Sequence, residues 1–163
     1  MKRLAILGIA LVTFALPVFG QPKYGVTVLA QDKGTDFSKL KTYVWQPGWD
    51  APAKVHTVIV ASVDREMKAL GFEKKAAGPS DVVIKYAALR RTDMNVSTKA
   101  TGAAASGSVE VGSLQVLMLN SGGTDLWKVR LDQVIDTDPA KMTETIDGIV
   151  KAVFAKYPTR GGK

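Results

Sequence analysis

The chain contains no cysteine and a single histidine among its 163 residues. Without cysteine there are no disulfides, thiolate metal sites, thiol nucleophiles or cysteine-linked lipids. One histidine cannot build a multi-histidine metal centre, and any imidazole relay would have to run through His56 alone. Long hydrophobic runs are also missing beyond residue 20, so no later segment approaches the roughly 20 apolar residues of a membrane span. What remains is a globular composition: 46% hydrophobic, 23% charged, with 22 Lys and Arg against 15 Asp and Glu. Its length suits one domain with a sizeable core.

The one long apolar run lies at the start. Lys2 and Arg3 precede an almost unbroken apolar stretch from Leu4 to Leu16, and Pro17 ends it. As a helix that stretch would reach about 20 Å, short of the roughly 30 Å of a bilayer core. Val18-Phe19-Gly20 supplies small or modest residues before a cut at Gln21. This is the pattern of a secretory signal peptide over residues 1–20. The expected product is an exported protein, periplasmic or secreted. A single α+β domain then covers 24–158, and 159–163 is a disordered tail.

Along that domain, Tyr24–Leu29 and Thr42–Trp45 read as strands, the second dense in β-branched and aromatic residues. Val55, Ile59, Val63, Met67 and Leu70 recur at helical spacing, with Asp50 as a candidate N-cap and Gly71 as the stop. Phe72–Lys75 reads as a short edge strand and Asp81–Arg91 as a longer one. Thr92–Gly107 is poor in large apolar groups, and composition alone makes it a mobile connection. Val109–Leu119 and Asp125–Ile135 form a hairpin around Asn120–Thr124. Asp138-Pro139 opens a second helix whose stripe is Met142, Ile146, Ile149, Val150, Val153 and Tyr157, and Pro158 stops it. Trp127, Val129 and Leu131 alternate with Lys128, Arg130 and Asp132, so that strand buries one face. The expected architecture is a mostly antiparallel sheet of five to six strands with both helices on one face, in the order β-β-α-β-β-β-β-α.

Several segments, taken in order, resemble one known family. Asp36-Phe37-Ser38-Lys39-Leu40-Lys41-Thr42-Tyr43-Val44-Trp45 is similar to the opening signature of the bacterial domain-of-unknown-function family 4136. Ala69-Leu70-Gly71-Phe72 with Ser80-Asp81-Val82-Val83-Ile84 matches its second block. Gly112-Ser113-Leu114 through Leu126-Trp127-Lys128 matches its strand pair, and Val153-Phe154-Ala155-Lys156-Tyr157-Pro158 resembles its closing helix. The resemblance spans about residues 24–158. It implies an exported or outer-membrane protein of lipoprotein type for which no catalytic residues are established. Where many members carry a lipobox cysteine this chain has Gln21, which implies a protein without a lipid anchor.

Candidate chemistry is sparse. His56 lies one position off the apolar stripe, with Asp50 and Asp64 about two turns away on either side. Asp132, Asp136 and Asp138 lack the oxygen spacing and turn glycine of a calcium loop. No glycine-rich loop leads from a strand into a helix with a following Lys-Ser or Lys-Thr, and Ser106, Ser108, Ser113 and Ser121 have only His56 as a relay. Catalytic residues, metal ligands and cofactors are accordingly assigned to none. The basic excess is scattered, which argues against nucleic acid as a partner.

The sheet's outer face is the more informative feature. If Lys85 and Gln115 face solvent, alternation places Val83, Ala87, Leu89, Leu117 and Leu119 beside them, with Arg90, Arg91, Lys128 and Arg130 as a basic rim. A β-bulge near Gly112 would turn Leu117 and Leu119 inward instead. Five apolar side chains on an uncovered face call for a cover: the first strand or the 92–107 segment, a second copy, an apolar or anionic ligand, or another envelope protein. The function expected is a non-enzymatic binding or interaction module of the cell envelope. The competing readings are a small carboxylate-dependent hydrolase and a purely structural envelope protein.

Overall fold

The structure, a computed structural model, describes residues 24–46, 51–98 and 104–159, with the backbone alone described at 95–98 and 104–106. The leader (1–20), Asp50 and tail residues 160–163 lie outside the described residues. Six strands form one sheet: β1 (Gly25–Gln31), β2 (Thr42–Trp45), β3 (Glu73–Lys74), β4 (Val82–Thr98), β5 (Ala104–Leu119) and β6 (Asp125–Val134). Helix α1 (Ala53–Ala69) follows β2, and α2 (Met142–Phe154) follows β6. Element order and layer match the sequence reading. The spatial order is β1-β6-β5-β4-β2-β3. β4, β5, β6 and β1 pair antiparallel, while β2 runs parallel to both β3 and β4 because α1 carries the chain back to the same end.

Local chemistry sets the helix ends. Gly71 has φ of 87° and closes α1 in a Schellman motif, with Phe72 N–H donating to Met67 O and Gly71 N–H to Lys68 O, both at 3.0 Å. The Asp138 side chain accepts from Ala140 N–H at 2.9 Å and, with Pro139, starts the 3-10 turn Pro139–Lys141 that leads into α2. At the start of α1 the N-cap position is Pro52, with no side-chain cap.

The apolar stripes of both helices meet the face carrying Val82, Ile84, Tyr86, Leu114, Val116, Met118, Trp127, Val129 and Leu131. Trp127 is 0% exposed, its ring centroid 5.6 Å from those of both Phe154 and Tyr157. Phe37 and Phe72 reach Tyr157 edge-on at 5.7 and 6.2 Å, and Tyr43 in turn meets Phe72 edge-on, so rings from five segments of chain converge there. Burial pushes the Tyr157 phenol up to about 12. A polar bridge also joins α1 to α2: the Asp147 carboxylate accepts from the Ser62 hydroxyl and from Arg65 Nη2.

Two local readings need correction. In its described parts, 92–98 and 104–107, the 92–107 segment is not a loose connection. β4 and β5 pair residue for residue from Val83↔Leu119 to Thr98↔Ala104, because a continuous ladder orders the backbone without large apolar side chains. Nor is there a bulge at Gly112. The irregularity sits where Met118↔Trp127 gives way to Leu119↔Asp125, and it turns both Leu126 and Trp127 into the core. Gly112 instead makes room: a Cβ there would lie 2.7 Å from Ile135 Cγ2.

Truncating the central ring tests this account. Trp127→Ala should cost about 3–5 kcal/mol in urea denaturation, the usual loss for a large core aromatic. Because Trp127 Nε1 has no hydrogen-bond partner among the described residues, Trp127→Phe should cost clearly less than Trp127→Ala. Equal losses would show that the indole N–H, not ring packing, matters at this site.

Candidate functional site

Helices α1 and α2 both begin at the end of the sheet where β4 and β5 run on as a two-stranded ribbon. Between their first turns lies a cleft of about 400 Å³. Its walls are Val55 and Ile59 from α1, Met142, Ile146 and Ile149 from α2, and Ala88 and Leu114 from the sheet floor. Ile135, lying against the bare Gly112 backbone, forms one side. Polar groups stand at the rim: Arg90, Ser113, Thr137, Asp136 and Asp138. Of the surface expected from sequence, Leu89 and Arg90 line this cleft, and its other walls were not foreseen. Only their apolar type was visible there, and it reads the same for a core as for a cleft wall.

The carboxylates of the rim are already engaged. Asp136 accepts from Asp138 N–H at 2.9 Å and from Lys141 Nζ at 2.7 Å. The Lys141 bond, then the backbone bond, hold its carboxyl below the usual range. Asp138 is the cap of the following turn. A lowered carboxyl such as Asp136 does not match a general acid, which needs a raised proton affinity. Among the described residues no group of three or more His, Cys, Asp and Glu could hold a metal ion. His56 is exposed on α1, with Nδ1 2.7 Å from the Tyr86 hydroxyl and the rings tilted together.

A second polar hub sits at the opposite sheet edge. Asp64 accepts from the Tyr43 hydroxyl at 2.7 Å, Trp45 Nε1 at 2.8 Å and Lys74 Nζ at 2.7 Å. It ties α1 to β2 and β3, a role its place among the polar residues of α1 did not reveal. Burial and the Asp64 carboxylate both raise the Tyr43 phenol. Asp81 performs a related task by accepting from Lys41 N–H and Thr42 N–H, both at 2.8 Å.

On the outer face the register pairs Val83 with Leu119, Lys85 with Leu117, Ala87 with Gln115 and Leu89 with Ser113. The expected apolar residues therefore share one face. Their environments differ: Leu119 and Leu117 are only 5% and 9% exposed, Val83 is half-buried, and Leu89 is 71% exposed. Leu117 lies between Lys85 and Lys128 on the neighbouring strands, both half-buried, whose methylene stems can flank it. Neither expected cover from within the described chain is seen. β1 extends the sheet beside β6, and the 92–98 and 104–107 stretches continue its strands.

The basic rim also differs from expectation. Arg90 and Arg91 are adjacent on β4 and so point to opposite faces; Arg90 lines the cleft. Each cation has an acidic partner: Arg90–Glu110 at 2.7 Å, Arg91–Asp93 at 2.9 Å, Arg130–Asp132 at 2.7 Å and Lys128–Asp125 at 3.6 Å. Alternation along β4, β5 and β6 interleaves opposite charges, so the patch is a paired network. Asp132 sits at its centre, also 3.1 Å from Arg91 Nη1. Burial alone would raise its carboxyl, but bonds from Arg130, Ser113 and Arg91 outweigh that and lower it.

Comparison with known proteins places this architecture. Residues 27–159 match the family described as Domain of unknown function (DUF4136). No curated protein matches the chain. Among solved structures, it is similar to a PDZ domain protein from Parabacteroides distasonis at 13% identity and a TM-score of 0.57. That match covers 86% of this chain but only 36% of the other, so the chain spans about a third of that protein, and the likeness shows the fold alone. Weaker likenesses are to the PelC dodecamer from Paraburkholderia phytofirmans (10% identity, TM-score 0.49, 80% of this chain and 98% of that one). A minor lipoprotein from Acinetobacter baumannii follows (10%, 0.43, 71% and 90%).

Two outcomes test the outer face. Leu117→Ser and Leu119→Ser should each cost about 2–5 kcal/mol, the range for truncating a buried leucine. A loss under about 1 kcal/mol for the double variant would show that these leucines do not carry the fold. Asp132 and Asp147 are both lowered in the folded state, Asp147 chiefly by the Ser62 hydroxyl. Their stabilisation is therefore complete above the unfolded value of about 3.9 and lost as pH falls through the folded values. Urea midpoints should hold steady above about pH 5 and decline below about pH 4, with a shallower decline in Asp132→Asn. An unchanged acid limb in that variant would remove Asp132 from this account.

Proposed function

The chain belongs to the DUF4136 family, and on that premise we propose that it is a non-enzymatic binding module exported to the cell envelope. The leader pattern of Lys2, Arg3 and Leu4–Leu16 supports export. The observation that carries the binding role is the cleft between the two helix starts. It is open, lined mainly by aliphatic side chains, and of the size that ordinarily holds a small molecule or one or two apolar side chains of a partner. Its polar rim would orient such a ligand, while the Arg90 Nε is held by Glu110.

A carboxylate-dependent hydrolase would require two carboxyl groups in a cleft with their proton affinities driven apart. The carboxylates at this cleft among the described residues, Asp136 and Asp138, are held by a lysine and by turn amides. That commitment favours binding over catalysis.

The apolar dye anilinonaphthalene sulfonate provides a direct probe. One saturable site is expected on the native chain. Thr145→Trp, which fills the cleft from a half-exposed wall position, should weaken binding by about tenfold or more, near 1.4 kcal/mol, with an unchanged melting temperature. Equal dye affinity in both proteins would rule out the cleft as the binding site.

A further inference from the structure

On the helix-facing side of the sheet, the side chains shrink where α1 and α2 part. β4 presents Ile84, Tyr86 and then Ala88, while β5 presents Val116, Leu114 and then Gly112. Arg90 is the next residue of β4 on that side and lies opposite Gly112 in the register. The cleft is therefore a furrow over Ala88, closed at its inner end by Ile59 and Ile149, which are 2% and 5% exposed. From Met142 to Ile149 its α2 wall runs about 10 Å. No aromatic ring lines it among the described residues, so it has no stacking face for a planar ligand. At about 400 Å³ it lies near the small end of ordinary ligand sites. Aliphatic walls at that size fit one alkyl chain of medium length better than the paired chains of a phospholipid.

The charges at the mouth differ in what their own chain leaves free. Asp136 and Asp138, from the chain after β6, are taken up by Lys141 Nζ and by amides of their own turn. Arg90 comes from β4, with β5 lying between it and β6. Its Nε donates to Glu110 at 2.7 Å, while Nη1 and Nη2 donate no hydrogen bond among the described residues. Glu110 is itself satisfied by that bond and by the Thr92 hydroxyl. Two N–H donors in a fixed fork match a carboxylate bidentately. Given the binding role proposed above, we infer that the cleft takes a medium-chain alkanoate. The tail lies along Ala88 between the helices, and the carboxylate sits on the free fork of Arg90. That side chain is 61% exposed, so the headgroup stays at the mouth and keeps part of its hydration.

Isothermal titration calorimetry with hexanoate, octanoate, decanoate and hexadecanoate should find one site. Affinity should climb about fourfold per methylene while the furrow fills, then level off before hexadecanoate. Decanol, which lacks the charge, should bind about tenfold or more weakly than decanoate. Arg90→Gln should bring the two ligands level with an unchanged circular dichroism spectrum. Thr145→Trp should weaken decanoate at least as much as it weakens the dye. Decanoate and decanol of equal affinity overturn the inference, as does an Arg90→Gln variant that still prefers decanoate. Dye held in the cleft with no uptake of any alkanoate also overturns it, and leaves the binding role standing. A chain that takes up neither dye nor alkanoate defeats both.

Discussion

The rings around Tyr157 are the junction on which the helix layer depends. Trp127 comes from β6, Phe154 and Tyr157 from the end of α2, Phe72 from just beyond α1, and Phe37 from the loop before β2. Each ring excludes water from its neighbours, so the contacts act together rather than as separate pairs. The α1 terminus reaches this junction because Gly71 turns the chain there and delivers Phe72 at once. Both helices are thus pinned at their C-terminal ends. Midway, Ser62 and Arg65 hold Asp147. Beyond that bridge no aromatic ring lines the space among the described residues, and the layer opens into the cleft.

Polar groups finish what the rings begin. Asp64 fixes β2 and β3 to α1, and Asp81 holds the entry of β2 through two backbone amides. On the outer face, Asp132 draws in Arg91 and Arg130. These carboxylates lie at the periphery of the layer, where a charge keeps part of its hydration while gaining several donors. The consequence for function is that the face once expected to be basic carries interleaved charge. Anionic partners find less there than the net charge of +7 suggests. The apolar cleft and the open ribbon edge are left as the features without a structural task.

How much of this was legible in the sequence depends on the range of the forces involved. Helical stripes such as Ile59-Val63-Met67, the Gly71 stop and the Asp138-Pro139 start depend on residues within a turn or two, and each was readable. Strand alternation located the buried face of β6 and brought Val83, Leu117 and Leu119 to one outer face. The ribbon escaped notice because Thr92–Gly107 has the small, polar composition of a loop. Its order comes from cross-strand hydrogen bonds, which involve no side-chain signature.

The amino-acid pattern by itself thus determined the layer architecture, the family and the identity of the core, since burial periodicity and caps are local properties of the chain. Tertiary structure alone decided which charges meet, that Arg90 and Arg91 serve different faces, and where the helices part to leave a cleft. It also decided that β5 continues past β6 with one edge open. Those outcomes depend on distances between residues far apart in sequence, such as Arg91 and Asp132 or Val55 and Ile146, and no local pattern encodes them.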